Sequence, residues 1–512
     1  MSYSRTSFVL TWSLLAASTA PCRSEAVHGE GSANSTAAWL GRWTGVAHDR
    51  DDWNSSYDAQ TPIDIELELE KGKLVLIDRG RTSTRQAAVP VRLCGRQFFA
   101  QYERLFTNLA DVEGTLSEDG TSLDVTISRD GMTGMESHTA RLQRDSADAR
   151  RFHAPRIDAQ GRGVTDYRYR VPPRINDGWE VSSASAAGID PLPLTNMVRR
   201  ILDENGAIDS PQTESVLILR DGKLVLEEYF WGQSADNPHI ISSAQKSVTS
   251  MLAGIAWDKH LFKLDDLVIS YFPDRQDTWW SRNKYPVTVR NILSMSSGTY
   301  WDDSQPTPQN PSVLLLETSD VTGYVLDRPL TRPPGSNYEY NNGLPVLAGE
   351  LIEKVTKEQL NEFARRNLFA PLGIVNYRWT RNREGDPMAA GGSYFRTRDL
   401  AKLGQLMLNE GRWNGREILS KDWVRESTRK QTAEGQYNYG FYWHLSSGTS
   451  RHIDKFDGYE AIGQGDQFIA VLPKPRVVIV ITSQNWAHGT GGREPENLIN
   501  QYIVPSIKDN AH

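Results

Sequence analysis

Cysteine is nearly absent: the 512 residues hold two, Cys22 and Cys94. Loss of an N-terminal leader would leave Cys94 alone, so the sequence predicts neither an internal disulfide nor a cysteine-built metal site. Long apolar runs are also missing. The stretch Phe8-Val9-Leu10-Thr11-Trp12-Ser13-Leu14-Leu15-Ala16-Ala17 is too short to span a bilayer, and no membrane span is expected. Positive charge is not in excess. With a net charge of −7 and no basic stretch interleaved with aromatics, nucleic acid is excluded as a partner. The chain shows no internal repeat, low-complexity tract, P-loop or metal-ligand spacing, so neither cofactor nor metal is expected. What it does have is 38% hydrophobic residues and 15 Trp, enough for a large core divided among two or three domains.

Residues 1–26 read as a secretory signal. Arg5 precedes the short apolar run, and Ser18-Thr19-Ala20 or Ser24-Glu25-Ala26 offers a small-residue exit, so a secreted or periplasmic protein is expected. Cys22 would suit a lipid anchor, but Pro21 directly before it is unlike a lipoprotein signal.

From residue 36 to 145, alternating stretches such as Ile63-Asp64-Ile65-Glu66-Leu67-Glu68-Leu69 and Leu123-Asp124-Val125-Thr126-Ile127 are separated by turns at Glu70-Lys71-Gly72-Lys73 and Glu118-Asp119-Gly120. They predict an antiparallel β domain. Its opening, Trp39-Leu40-Gly41-Arg42-Trp43-Thr44-Gly45, is similar to lipocalin-like openings, and a small barrel and a plain sandwich both fit. Residues 146–178, rich in Arg, Asp and Pro, read as a linker. Residues 179–507 form the second domain. A hairpin from Ser215 to Phe230 turns at Asp221-Gly222, strands recur at Phe468 to Leu472 and Val477 to Thr482, and helical patterns occupy Ser247 to Trp257, Leu344 to Lys354, Gln359 to Asn367 and Asp399 to Asn409. Strands at both ends with helices between predict an α/β (α+β) fold in which one antiparallel sheet is flanked by helices. Residues from about 175 onward are expected to fold and act alone.

Ser243-Ala244-Gln245-Lys246 opens a helical run and sets a hydroxyl and an amine on one face, since residues i and i+3 are neighbours on a helix. A serine is a poor nucleophile until a base takes its proton, and a lysine can serve if burial lowers its pKa. The spacing recurs at Ser281-Arg282-Asn283-Lys284 and Ser427-Thr428-Arg429-Lys430, and an ordinary helix start with an N-cap serine would produce it as well. Only the first copy is followed by an apolar stripe, Val248, Leu252, Ile255 and Ala256. Downstream, Pro334-Gly335-Ser336-Asn337 leads to Tyr340-Asn341-Asn342, the chain's single Tyr-x-Asn, just before another apolar helix. A phenol near an ammonium can shuttle a proton to a leaving group, and an Asn amide can bond both substrate and lysine.

Taken in this order, the motifs make the chain resemble the serine β-lactamase-like, penicillin-binding-protein-like superfamily, in particular its class C β-lactamase, esterase and aminohexanoate-dimer hydrolase branch. Ile292-Leu293-Ser294-Met295-Ser296-Ser297-Gly298, Gly391-Gly392-Ser393-Tyr394 and Gly463-Gln464-Gly465-Asp466-Gln467 match the same family's habits. The resemblance implies a β-lactamase/transpeptidase-like fold. It also implies a nucleophile at Ser243, a general base at Lys246, a proton relay at Tyr340, support from Asn342, and an oxyanion held by the Ser243 N–H and a strand N–H near Ala461-Ile462. His488 is a further candidate for the same site, with a plain loop histidine as the alternative. Where class C enzymes show Lys-Thr-Gly, the matching stretch reads Gly458-Tyr459-Glu460. Without that cation, and with Glu460 close by, a small neutral ester or linear amide is expected as substrate ahead of a β-lactam, unless Arg398 or His488 supplies the charge. A catalytically silent penicillin-binding or sensor module and a D-aminopeptidase stay open as alternatives.

Overall fold

The computed structural model describes residues 36–51, 54–79, 88–103, 109–131, 134–204, 211–305, 309–382, 384–433, 436–446, 453–485 and 493–508. The signal expected over 1–26 and the candidate His488 lie outside these residues. Among the described residues no helix is long and apolar enough to cross a membrane.

Nine strands occupy the N-terminal third: β1 (Gly41–Asp49), β2 (Ala59–Glu70), β3 (Lys73–Asp78), β4 (Val89–Pro90), β5 (Arg92–Cys94), β6 (Gln97–Glu103), β7 (Leu109–Leu116), β8 (Ser122–Gly131) and β9 (Gly134–Arg144). Their order in the sheet is β4-β3-β2-β1-β9-β8-β7-β6-β5, so the first strand pairs with the last and the meander wraps until β4 lies beside β6. This is the up-and-down order of small barrels rather than of a sandwich. Alternation along the strands sends Trp43, Ile65, Leu67, Leu76, Phe98, Val112, Leu123 and Leu142 into one core. Cys94 ends β5; the expectation of no internal disulfide concerns the chain after loss of the leader with Cys22, which lies outside the described residues.

A seven-stranded sheet follows. It contains β10 (Glu180–Val181), β11 (Thr213–Arg220), β12 (Lys223–Tyr229), β18 (His444–Leu445), β19 (Tyr459–Gly463), β20 (Gln467–Leu472) and β21 (Val477–Ser483), in the order β10-β12-β11-β21-β20-β19-β18. As the sequence predicts, segments from both ends of the domain pair, with β11 antiparallel to β21. Alternate residues of β11 serve two cores, Leu217 and Leu219 on one face and Val216 and Ile218 on the other. Both faces are therefore covered, and the strand reads as a continuous apolar run. A three-stranded sheet, β13 (His239–Ile240), β15 (Tyr394–Phe395) and β14 (Tyr377–Arg378), and a small ribbon, β16 (Arg412–Trp413) with β17 (Arg416–Glu417), complete the strands. The helix Gln245–Asp258 lies against β19, and Thr397–Leu408 covers β20 and β21.

The stretch 146–178, expected as a linker, is a strap bonded to the second domain. Trp231 N donates to Pro155 O at 2.8 Å, and the fully buried Glu228 carboxylate accepts from Tyr167 Oη at 2.8 Å, Arg156 at 2.6 Å and Arg170 at 3.2 Å. Buried carboxylates persist only when paired and hydrogen-bonded. Composition suggested a linker because the strap binds through its Arg and Tyr side chains rather than through apolar ones. A fragment beginning at residue 146 should therefore be more stable than one beginning at residue 179 by roughly 3–5 kcal/mol, the cost of leaving a buried charge unpaired. Urea unfolding of the two fragments measures it, and equal midpoints would refute the strap.

Candidate active site

Ser243 lies in a short 3-10 turn, Ser242–Ala244, that runs directly into the helix Gln245–Asp258. Ser242 holds a left-handed φ of 45°, a conformation costly for a residue with a Cβ and common at functional turns. The helix is buried from Gln245 to Ala256, including its polar residues. Three of those side chains are satisfied on the backbone of one neighbouring segment, while Ser247 Oγ donates to Tyr442 O at 2.6 Å. Gln245 Nε2 donates to Met388 O at 2.5 Å, Thr249 Oγ1 to Ala389 O at 2.7 Å, and Lys246 Nζ to Ala390 O at 2.6 Å. In return Ser393 N donates to Gln245 Oε1 at 3.0 Å.

Lys246 Nζ also donates to Ser243 Oγ at 2.8 Å, and the lysine is 2% exposed. The other two copies of the spacing have no such pair. Ser281 Oγ is committed to Gln276 O and Thr278 O, Lys284 lies exposed over the Tyr285 ring, and Ser427 Oγ donates to Val424 O. Tyr340 is brought to the pair, its ring centroid 5.0 Å from Lys246 Nζ. The aromatic wall continues outward. Tyr338 stacks on Tyr437 at 5.3 Å, Tyr439 sits 5.1 Å from Tyr338, and Tyr437 Oη and His444 Nδ1 are hydrogen-bonded at 2.8 Å. Burial pushes the Tyr338, Tyr439 and Tyr442 hydroxyls up, followed by the neighbouring phenol of Tyr340 at Tyr338 and Tyr442 and of Tyr338 at Tyr439, which keeps them neutral.

The edge of β19 closes the other side. Its neighbour β18 pairs with it only at Tyr459 and Glu460, which leaves Ala461, Ile462 and Gly463 to run along the Ser243 turn. The closest approach is at Gly463, where a Cβ would lie 2.2 Å from Ile241 O and 3.1 Å from Ala244 N. At Gly391 an added Cβ would lie 3.1 Å from Ser242 O.

Three expectations need correction. The Asn342 amide turns to Asp303 Oδ2 at 3.0 Å and Ser312 Oγ at 2.9 Å rather than to Lys246, from the N-cap position of the helix Gly343–Thr356. Arg398 is no spare cation for the site. It is 2% exposed and holds Glu227 through two bonds of 2.7 and 2.6 Å, with Asp177 at 2.8 Å. Burial lowers its pKa, but the bonds to Glu227 and Asp177 outweigh this and raise it. Glu460 is also withdrawn, 1% exposed and hydrogen-bonded by Ser446 Oγ, so it does not present charge to a substrate. The sequence did not single out Gln245, Ala390, Gly463 or His444. Glycine-rich stretches marked two of these neighbourhoods, but a backbone acceptor such as Ala390 O leaves no trace in residue type.

Residues 199–501 match the profile of the family described as Beta-lactamase, well over half of the chain. The chain belongs to the beta-lactamase family. Its curated relatives include an esterase and a 6-aminohexanoate-dimer hydrolase. It is 28% identical over 166 residues to the lovastatin esterase of Penicillium rubens, covering 28% of this chain and 40% of that one. It is 23% identical over 268 residues to the 6-aminohexanoate-dimer hydrolase of Paenarthrobacter ureafaciens, covering 48% and 65%. The matches thus span less than two thirds of either relative. Among solved structures, EstCE1, a hydrolase with promiscuous acyltransferase activity, superposes with a TM-score of 0.50 at 17% identity over 62% of this chain and 99% of that one, which shows a shared fold.

The tight seat at Gly463 yields a test. In Gly463→Ala the added Cβ would push the strand off the turn, so turnover should fall about 10²-fold, the scale of a misaligned oxyanion donor, with the melting temperature lowered only modestly. Steady-state kinetics on a chromogenic ester and differential scanning fluorimetry check both, and an unimpaired variant would separate this edge from the chemistry.

Proposed function

We propose that the protein is a serine hydrolase that cleaves a neutral ester or linear amide through an acyl-enzyme on Ser243. The observation that carries this is the 2.8 Å contact between Lys246 Nζ and Ser243 Oγ at a buried lysine. In the reacting form the Lys246 amine accepts the Oγ proton as Oγ bonds to the substrate carbonyl carbon. The resulting oxyanion takes hydrogen bonds from the Ser243 N–H and an N–H of the Ala461–Gly463 edge. As the tetrahedral carbon collapses, the leaving oxygen or nitrogen receives a proton through Tyr340. Water then attacks the acyl carbon, with the same groups passing its proton, and Ser243 is freed. Esterase and amide-hydrolase relatives support this reaction class. A secreted or periplasmic location remains part of the proposal, resting on residues 1–26 alone.

Replacing Lys246 by Ala should lower kcat/KM by roughly 10²–10⁴-fold without unfolding the protein, whereas Lys284→Ala should leave it near the parent value. Comparable activity in the two variants would remove Lys246 from the reaction. Stoichiometric labelling of Ser243 with no turnover of any ester would favour the silent receptor instead.

Substrate rank follows from charge. Gly458 stands where class C enzymes place a lysine, and Arg398 is consumed by Glu227 and Asp177, so neither of these described positions gives a substrate carboxylate a partner of the kind worth about 1–3 kcal/mol as a charged hydrogen bond. A p-nitrophenyl butyrate assay should give a higher kcat/KM than benzylpenicillin. The reverse order would mean that a cation beyond these residues reaches the cleft.

A further inference from the structure

The three-stranded sheet β13-β15-β14 adjoins both halves of the nucleophile's support. Ser243 follows β13 by three residues, and Ile241 N donates to Ser393 O at 2.8 Å, joining the chain before the nucleophile to the residue before β15. Gly392 N donates to Ser242 O at 3.3 Å, and two residues earlier Ala390 O receives Lys246. Movement of this sheet would therefore move Ser243 and the acceptor of Lys246.

The loop between β1 and β2 of the N-terminal barrel docks on this sheet and its approaches. Asn54 Nδ2 donates to Val375 O at 2.9 Å and to Tyr377 O at 2.6 Å. Asp58 N donates to Asn376 Oδ1 at 3.1 Å, while Asn376 Nδ2 donates to Asp58 O at 3.3 Å and Asp236 O at 3.1 Å, so one amide ties the loop to the entries of both β14 and β13. Gln60 N donates to Asn237 Oδ1 at 2.7 Å, and Arg381 pairs with Asp51. The Tyr57 ring, 1% exposed, meets Tyr394 of β15 edge-on with centroids 6.2 Å apart. Every contact named here lands within two or three residues of the strands that set the nucleophile turn.

We infer that the β1–β2 loop is a positioning element for Ser243 and Lys246: the barrel clamps β13-β15-β14 and so keeps the nucleophile turn and the 390–393 segment in register. Tyr57 and Asn54 touch neither substrate nor reacting atoms and act through Tyr394 and the β14 carbonyls. This rests on the proposed role of Ser243. It replaces the expectation that residues from about 175 onward are catalytically sufficient, because small displacements of reacting groups cost rate even where folding survives.

The test uses the full chain carrying Tyr57→Ala, Asn54→Ala or Tyr57→Phe, with Ser243→Ala as control. A fluorophosphonate probe measures the acylation rate of Ser243, and a chromogenic ester gives kcat and KM at a temperature well below every variant's melting point. Tyr57→Ala and Asn54→Ala should acylate about tenfold more slowly or worse, with kcat lowered and KM nearly unchanged, and Tyr57→Phe, which keeps the ring, should recover most of the rate. Should Tyr57→Ala fail to fold, Asn54→Ala, which removes a single amide, carries the same expectation. Parent-rate acylation in both variants, or a rise in KM alone, overturns the inference. If Ser243→Ala itself retains turnover and labelling, the serine-hydrolase reading fails; if Ser243→Ala is dead while Tyr57→Ala and Asn54→Ala acylate normally, only the clamp is wrong.

Discussion

The site depends on a buried polar face finding carbonyls. Gln245, Lys246 and Thr249 are inside the protein, and each would carry a desolvation cost of a few kcal/mol if left unpaired. Consecutive carbonyls of Met388, Ala389 and Ala390 take all three. The helix cannot slide or rotate against that segment without breaking several bonds together. This fixes the height and rotation of Ser243, and it gives the Lys246 head group two defined acceptors, Ala390 O and Ser243 Oγ. A flexible lysine is thereby held in one pose.

Around that pair the surroundings are chosen to hold charge in few places. The phenols of Tyr338, Tyr439 and Tyr442 are kept neutral by burial. Glu460 is turned into Ser446, and the Arg398 charge is balanced by Glu227 and Asp177 away from the cleft. What remains beside Ser243 is an amine, a phenol and backbone N–H groups, a set suited to acyl transfer on a neutral substrate rather than to capture of an anion. The same economy appears in the strap 146–178, whose Arg156, Tyr167 and Arg170 converge on the single buried carboxylate of Glu228. Composition concealed that packing, because a segment rich in Arg and Pro looks solvated until its partner is known.

The strands, the pairing of the domain's two ends and the adjacency of Ser243 and Lys246 were legible in the sequence, because each is a local or periodic property. Alternation marked β2 and β8, Asp221-Gly222 marked the β11–β12 hairpin, and the three-residue spacing of Ser243 and Lys246 guarantees adjacency once a helix forms there. The family resemblance followed from the order of such motifs. Of the three copies of that spacing, the apolar stripe behind Ser243 marked the first, and burial agrees, since Lys246 enters the core while Lys284 stays in solvent.

Contacts between distant segments were decided by the tertiary structure alone. Nothing at Ala390 distinguishes its carbonyl as the acceptor of Lys246, because any residue supplies a carbonyl and the choice depends on where the chain returns 144 residues later. Asn342 shows the same limit from the other side: its type and position fit a role beside Lys246, yet the turn directs its amide to Asp303 and Ser312. The Gly463 approach to Ile241, the occupation of Arg398 and the docking of Asn54 and Tyr57 on β13-β15-β14 are of this kind. Sequence therefore determined which groups could do chemistry and which local elements carry them. The packing of elements remote in sequence determined which of those groups meet, because hydrogen-bond direction and close approach are properties of the assembled backbone and not of residue type.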